Sequence, residues 1–443
     1  MTLSRGFFGV CAVVLCAACE GNVVTGGTGA TGGQGGAGGQ GAIGGGGAGG
    51  EGGGTSTNTG GMVNTTINTS TGTGAGPCDP GDPGVDDDGD AFSELEGDCN
   101  DCDPVMNPGA LEVVAQEPKE DGTIPEPADE DCDGMIDEPS PTCDEGLALA
   151  SADPLDGAKA IDLCQTTSPA DPRWGVLSAA YVGADGFGSP DPLQWGLKPG
   201  FGPNVNPQGG GSLLVLSNGH ARAVGDPDAC GAASCVVTGE GEAPPGFPQY
   251  VPSCEADSAI LDDVALQLEI RVPTNAKGHS FDFKFHSFEY PEWVCSSYND
   301  QLVAIVSPAP PGSLNGNVAF DAAGAPIGVN AAFVGVCDPL SAPAWAQNCF
   351  GASCPPLPDP YCPLGTAELL GTGFLEWSTG HAGATPWLRT TAPVEPGSVI
   401  TVRLVLWDSG DASLDSTGLF DHWQWITGGG AVNVGTAPIP DPK

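Results

Sequence analysis

The sequence predicts a mainly β protein with a C-terminal antiparallel β-sandwich of the jelly-roll type, preceded by a loop-rich acidic module and a glycine-rich linker. Three observations support this prediction. Residues 264–272 alternate apolar and polar side chains, which is the period of a half-buried antiparallel strand. Further short apolar segments follow, separated by connections rich in Pro, Gly and Asn, as in many sandwiches. Before Cys78 the chain is too rich in glycine to bury a core.

The predicted elements follow the chain in order. A short helix is predicted at residues 157–163, after a proline that interrupts the pattern. Besides residues 264–272, strands are predicted at residues 281–285, 302–307, 318–320, 400–407 and 419–426. The predicted domains are a signal peptide at 1–18, a disordered linker at 19–77, the acidic module at 78–139 and the sandwich at 140–443.

The N-terminus has the features of a bacterial export signal. Arg5 precedes an apolar run at residues 7–18, which is too short to cross a bilayer but suits a signal peptide. The string LCAAC, which ends at Cys19, resembles a bacterial lipobox and implies that Cys19 carries a lipid. We therefore expect a protein held to the membrane through its N-terminal lipid, at the outer membrane or cell surface. Ordinary cleavage and secretion is the alternative.

The charge balance is strongly acidic, with 56 Asp and Glu residues against 12 Lys and Arg and a formal net charge of -44. This excess argues against binding to nucleic acid and against docking on anionic membranes through charge. Divalent cations and basic partners remain as the electrostatic ligands.

The acidic module contains two loops with the spacing of calcium ligands. Aspartates occupy alternate positions with a glycine close by, and the two sets are Asp86, Asp88, Asp90 and Asp129, Asp131, Asp133. Carboxylates spaced in this way converge on one hard cation. Neither loop is a complete EF-hand, because its twelfth position is Gly97 or Ser140 instead of glutamate. The intervening block supplies further candidate ligands, Asp98, Asp101 and Asp103. The alternative is a solvated acidic tether.

The strings GDCNDCDPVMNPGALE and DEDCDGMIDE resemble the metal-binding motif of MopE-like bacterial surface proteins, over residues 86–138. The resemblance implies a metal-binding role for the matching positions, which are Asp86, Asp88, Asp90, Asp98, Asp101, Asp103, Asp129, Asp131, Asp133 and Asp137. The prototype is associated with copper. Because the module has no histidine and offers mainly oxygen ligands, we expect calcium, with copper as the alternative.

Cysteine usage also indicates export. Of 17 cysteines, two lie in the signal and Cys19 takes the lipid, which leaves an even number, as expected for disulfides in an oxidising compartment. In the acidic module, Cys99 and Cys102 could connect the middle block to Cys132, and zinc binding by thiolates is the disfavoured alternative. The pairs predicted in the sandwich are Cys143 with Cys164 and Cys230 with Cys235.

The sandwich resembles a second family. The strings SFDFKFHSFEYPEWVCSSYND, WLRTTAPVEPGSVITVRLVLWDSGDASLDSTGLFDHW and GSLLVLSNGHAR are similar to the choice-of-anchor L domain of bacterial exported proteins, over most of residues 143–427. The resemblance implies a surface domain that is attached by variable anchors and has no established activity.

Acidic residues also flank several predicted strands of the sandwich. Because sandwiches often bring the first and last strands side by side, we expect four of these residues to share a structural calcium: Glu289, Asp300, Asp408 and Asp415. The alternative is that they stabilise turns by hydrogen bonding to their own backbone.

The sequence lacks the motifs of serine hydrolases, zinc proteases and phosphate-binding loops, and its five histidines are scattered, so we expect no enzyme. The predicted function is a cell-surface lipoprotein whose calcium-binding module is an ordered stalk for a sandwich that binds or adheres to a carbohydrate or protein ligand. Copper sequestration at the surface is the alternative. A secreted hydrolase that uses His286 near Glu289 is less favoured.

Overall fold

The structure, a computed structural model, describes residues 81–114, 127–235, 239–251, 254, 259–290, 293–330, 364–378, 382–440 and 442–443. These residues belong to one compact unit, Thr73–Lys443. The predicted signal peptide at 1–18, the lipidated Cys19, the linker at 19–77 and Cys78 lie outside the described residues. Within the described ranges, every helix is too short or too polar to span a bilayer.

Two antiparallel sheets form the described part of the protein, which confirms the prediction of a mainly β fold. One sheet has five strands in the order β1 (Gly175–Val182), β4 (Ile260–Arg271), β10 (Val399–Ser409), β6 (Gln301–Ser307) and β7 (Ile327–Gly328). The other follows the order β12 (Gly435–Pro438), β9 (Leu388–Pro393), β5 (Gly278–Ser287), β11 (Ser416–Ile426), β3 (Leu213–Ser217) and β2 (Trp195–Lys198). A short strand, β8 (Gly383–Ala384), pairs with β5.

The helix α1 begins at Pro154 and ends at Lys159, so the prediction of residues 157–163 is wrong in its bounds. Proline suits the first turn of a helix, because the amide hydrogen it lacks would have no partner there. The Asp153 side chain caps the helix by accepting a hydrogen bond from Leu155 N at 3.0 Å. Short 3-10 helices among the described residues are Glu94–Glu96, Pro192–Gln194 and Gly365–Leu369.

The alternating segment predicted as a strand at 264–272 lies in β4 up to Arg271, where the strand ends. Leu266 is fully buried there, whereas Glu269 is exposed. In contrast, β5 is buried along its whole length, including the charged Lys284. Lys284 Nζ pairs with Glu368 Oε2 at 2.6 Å, which compensates its charge inside the protein.

The strand predicted at residues 318–320 is wrong. The backbone there makes isolated bridges at Asn317 and Phe320 instead of a continuous ladder. Val318 N donates to Ala304 O at 2.9 Å, while Val318 O accepts from the side chain of Thr390. Because its two backbone groups bond to different elements, the segment cannot extend either sheet.

The hydrophobic core lies between the two sheets. Its members alternate along the central strands of both, and they include Leu266, Leu268, Leu404, Leu406, Phe281, Phe283 and Phe420. Full burial of one such side chain contributes about 1.5–3 kcal/mol. Trp407 and Trp423 are 0% and 4% exposed, so they are core residues and cannot stack on a ligand, whereas Trp293 is 37% exposed.

The acidic module packs against the turn between β4 and β5. Phe92 of the module is buried, and Thr274 N in the turn donates to Gly109 O at 3.0 Å. Asn275 completes the contact by accepting from Leu111 N at 2.9 Å and donating to Leu111 O at 2.8 Å. Hydrogen bonds therefore cross the predicted boundary between module and sandwich, and the module lies directly on the sandwich.

Disulfides join segments that are separated in sequence. The structure pairs Cys143 with Cys164 and Cys230 with Cys235, which are the two predicted pairs. It also pairs Cys99 with Cys132 inside the module, and Cys102 is disulfide-bonded as well. A further pair, Cys254 with Cys295, has no counterpart in the prediction.

Candidate metal centres

The first loop of the acidic module is folded by its own aspartates. Asp86 accepts hydrogen bonds from Gly89 N at 2.6 Å and from Ala91 N at 3.0 Å. Gly89 has a φ of 91°, a conformation that favours glycine. Asp90 Oδ1 accepts from Phe92 N at 2.8 Å. Short-range bonds of this kind fold the backbone of the loop around its carboxylates.

The aspartates of this loop converge with two aspartates from the following block. We call the set Asp86, Asp88, Asp90, Asp98 and Asp101 the first acidic centre. Oxygens of Asp86, Asp88 and Asp101 lie within 4.8 Å of one another, and so do oxygens of Asp88, Asp90 and Asp98. Calcium binds oxygen at about 2.3–2.6 Å, so two of its ligands can be as much as about 5 Å apart. The centre therefore has the dimensions of a calcium site, with Asp88 common to both groups.

Several buried carboxylate oxygens in and next to the first acidic centre have no hydrogen-bond partner. Asp98 is 5% exposed, and its Oδ2 has no hydrogen-bond partner. Asp88 Oδ2 and Glu94 Oε2 are buried and unpartnered in the same way. Burial, followed by the charge of Asp90, raises the pKa of Asp88, and burial likewise raises the pKa of Asp98. A bound cation would reverse this penalty by stabilising the charged form of each carboxylate.

A second acidic centre consists of Glu112, Asp131 and Glu138, whose oxygens also lie within 4.8 Å of one another. Two of these ligands, Glu112 and Glu138, are missing from the sequence prediction. Each is the glutamate that ends one of the two quoted motifs, and this shared position in the sequence could have indicated that both are ligands. Glu138 Oε2 is buried without a hydrogen-bond partner, and burial raises the pKa of Glu112 and Asp131.

The other predicted ligands of the module shape its turns. Asp129 accepts from Asp133 N at 3.1 Å and from Gly134 N at 3.0 Å, and Asp133 accepts from Met135 N at 2.8 Å. Asp137 N donates to Glu112 Oε1 at 2.7 Å, and Asp103 accepts a long bond of 3.4 Å from Val105 N. Asp129 and Asp133 interact electrostatically with Asp131 of the second centre, and Asp137 contacts Glu112 of the same centre.

The Cys99–Cys132 disulfide connects the two centres, because its cysteines directly follow Asp98 and Asp131. The bond fixes two loops that are 33 residues apart in the sequence. It also consumes the thiol of Cys99, and Cys102 is oxidised too. Zinc coordination by this Cys-x-x-Cys pair is therefore excluded.

A separate group of carboxylates lies inside the sandwich. Glu289 follows β5, Asp300 precedes β6 and Asp408 lies near the end of β10; their exposures are 1%, 0% and 1%. Asp300 Oδ1 accepts from Ser409 N at 3.0 Å, and its Oδ2 accepts from Asn218 Nδ2 at 2.9 Å. Asp300 N points at Glu289 Oε2 over 3.4 Å, and the side chains of Asp300 and Asp408 share a hydrogen bond.

Comparison with known proteins identifies a domain in this part of the chain. Residues 213–422 match the Choice-of-anchor L domain. The match begins at β3 and ends in β11, so it is narrower than the predicted range of 143–427 and leaves the acidic module outside. The domain indicates a cell-surface-associated protein. No curated protein and no solved structure matches the chain.

Within the Choice-of-anchor L domain, Asp415 is engaged differently from the three clustered carboxylates. Its Oδ2 accepts from Cys235 N at 2.8 Å, and its carboxylate fills the space that a side chain at Gly219 would need. Burial raises the pKa of Asp415 to about 8. Of the four residues predicted to share a cation, the structure groups Glu289, Asp300 and Asp408 and directs Asp415 towards the Cys230–Cys235 loop.

His286 of the Choice-of-anchor L domain does not have the setting of a general base. It is 0% exposed, and neither of its ring nitrogens has a hydrogen-bond partner. Phe201 and Phe374 flank the ring at 5.5 and 5.2 Å between centroids. Burial lowers the pKa of His286 well below its ordinary value. A solvent-borne substrate has no access to this imidazole.

Proposed function

We propose that this is a cell-surface protein in which calcium orders the acidic module and fixes it on the β-sandwich as a rigid support. The observation that carries the proposal is the convergence of five aspartates in the first acidic centre, where the buried Asp98 Oδ2 has no hydrogen-bond partner. The negative charges therefore need a cation that accepts several carboxylates in an irregular arrangement, which calcium does.

The ligand chemistry favours calcium over copper. Both acidic centres offer carboxylate oxygens, and the cysteines next to them are oxidised. The thioether of Met106 accepts a hydrogen bond from Asn100 Nδ2 at 3.4 Å, and the module contains no histidine. Copper prefers imidazole and soft sulfur ligands, whereas calcium prefers oxygen. Surface sequestration of copper is therefore the weaker alternative.

The proposal includes the position of the protein at the cell. The Choice-of-anchor L match supports association with the cell surface, and the LCAAC string supports a lipid on Cys19 that holds the protein at the outer membrane. If the lipid is not added, the same protein is secreted. In either case the sandwich is the part presented to the surroundings, with the acidic module beneath it.

A surface groove offers a place for the ligand of the sandwich. The groove has a volume of about 200 Å³, and its lining includes Asp185, Phe187, Glu240, Glu242 and Asp263. Phe187 is 75% exposed. An exposed aromatic ring can cover the apolar face of a sugar, and carboxylates accept hydrogen bonds from sugar hydroxyls. We propose a carbohydrate as the ligand, consistent with adhesion.

Calcium titration of the purified protein tests the central proposal. We expect calcium to raise the thermal unfolding midpoint, because an ion that binds the folded state stabilises it. Asp98→Asn should weaken calcium binding by more than about tenfold, since it removes a charged ligand from the centre. Asp87→Asn is the matched control, because Asp87 lies in the same loop and has an exposed side chain. It should bind calcium like the wild type.

Three outcomes would overturn the proposal. If calcium and copper both leave the unfolding midpoint unchanged, the acidic module is a solvated tether. If copper raises the midpoint and calcium does not, copper sequestration replaces calcium ordering as the function. Equal weakening of calcium binding by Asp98→Asn and Asp87→Asn would show that diffuse charge, not the first acidic centre, attracts the ion.

A further inference from the structure

The group formed by Glu289, Asp300 and Asp408 joins the two sheets at one end of the sandwich. Glu289 follows β5 of one sheet, whereas Asp300 directly precedes β6 and Asp408 lies in β10 of the other. Asn218, which follows β3, donates to Asp300 and accepts from Ser416 N at 2.6 Å, at the start of β11. The group therefore lies where five strands from both sheets begin or end.

Glu289 and Asp408 have too few hydrogen-bond donors for their charge, whereas Asp300 accepts bonds from Ser409 N and Asn218 Nδ2. Asp408 is 1% exposed, and its Oδ1 has no hydrogen-bond partner. Glu289 receives one long bond of 3.4 Å from Asp300 N. In the described part of the chain, no Lys or Arg side chain forms an ion pair with any of the three. Burial of unpaired carboxylates at this density is unfavourable unless protons or a cation neutralise them.

We propose that Glu289, Asp300 and Asp408 bind a calcium ion that clasps the two sheets together. Carboxylate oxygens from three separate segments and a buried unpartnered oxygen suit a hard cation. The half-buried Asp411 interacts electrostatically with Glu289 and Asp408, which places a fourth carboxylate near the group. Asp415 is not a ligand, because its carboxylate faces Cys235 N.

Asp408→Asn tests the clasp without removing the fold. The amide that this substitution introduces can donate to Asp300 and so keep the hydrogen bond between the two side chains, and the calcium-free variant should therefore unfold at nearly the wild-type midpoint. We expect the variant to bind one calcium fewer per chain in equilibrium dialysis. Asp415→Asn is the matched control: it removes a buried carboxylate from the same region and should retain the wild-type stoichiometry.

Terbium luminescence gives a second readout, which is the tryptophan-sensitised emission that Asp408→Asn loses relative to Asp415→Asn. Trp407 directly precedes Asp408, and Trp293 N bonds to Glu289 O at 3.0 Å, whereas residues 78–139 contain no tryptophan. Terbium replaces calcium at oxygen sites, and nearby tryptophan sensitises its emission. The Asp408→Asn variant should lose tryptophan-sensitised emission that the wild type and Asp415→Asn show.

The proposal of the clasp and the proposal of the calcium-ordered module can be refuted independently. An Asp98→Asn protein lacks a ligand of the first acidic centre but keeps the clasp, so it should retain tryptophan-sensitised terbium emission. Unchanged calcium stoichiometry and terbium emission in Asp408→Asn would overturn the clasp, whatever the result for the module. Loss of both signals in Asp415→Asn as well would also overturn it, because the four-residue site would then be correct.

Discussion

Replacing Asn107 by alanine should weaken the link between the first acidic centre and the sandwich. Asn107 is 0% exposed, and its Nδ2 donates to Asp90 Oδ2 at 2.7 Å. Its Oδ1 accepts from Thr274 Oγ1 at 2.7 Å and from Gly109 N at 2.9 Å. One side chain thus holds a carboxylate of the acidic centre and the turn between β4 and β5 at the same time.

The size of the effect follows from these three bonds. A neutral hydrogen bond contributes about 1 kcal/mol, and a bond to a charged group contributes about 1.5–3 kcal/mol. Asn107→Ala should therefore lower the free energy of unfolding by about 4 kcal/mol, measured by denaturant titration with calcium chelated. It should also weaken calcium binding by about 10–100-fold, because Asp90 loses the partner that orients it.

A matched variant separates the two roles of Asn107. Thr274→Val removes the bond to the sandwich and leaves Asp90 in place, so it should cost about 1 kcal/mol of stability with unchanged calcium affinity. The reasoning fails if Asn107→Ala binds calcium as tightly as Thr274→Val. It also fails if Asn107→Ala costs less stability than Thr274→Val, since the charge-assisted bond would then contribute nothing.

Two further predictions concern the sandwich. Burial raises the pKa of Asp421 to about 7, so the folded protein holds a proton that the unfolded chain loses near the ordinary value of 3.8. Stability should therefore fall by up to about 1.4 kcal/mol per pH unit as the pH rises from about 4 to 7, and Asp421→Asn should remove this part of the dependence in denaturant titrations at several pH values. Phe187→Ala should abolish carbohydrate binding on a glycan array while changing stability by less than about 0.5 kcal/mol, because the ring is 75% exposed.

Each of these predictions has a result that contradicts it. An Asp421→Asn protein with the wild-type pH dependence would show that Asp421 is ionised in the folded state. If the wild type binds glycans and Phe187→Ala binds them equally well, the groove is not the carbohydrate site. If the wild type binds none, the proposal of a carbohydrate ligand is wrong.

The sequence alone determined the features that depend on neighbouring residues. The alternation in β4 is a two-residue period, and the bonds from Asp86 to Gly89 N and Ala91 N span three and five residues. Structure that depends on interactions over only a few residues can be predicted from the sequence. For the same reason the β-rich fold and the shape of the acidic loops could be predicted, and the start of α1 could have been, since proline in a first turn is a local rule.

Only the tertiary structure decided which distant side chains meet. Glu112 and Glu138 complete the second acidic centre because a long connection and the Cys99–Cys132 disulfide bring their loops together. The sequence predicted a group of Glu289, Asp300, Asp408 and Asp415. Which of the four meet depends on the pairing of β6 with β10 in one sheet and on β5 in the facing sheet, while Asp415 bonds to Cys235 N. Such pairings depend on the packing of whole sheets around one core, and no local pattern of charge or period specifies them.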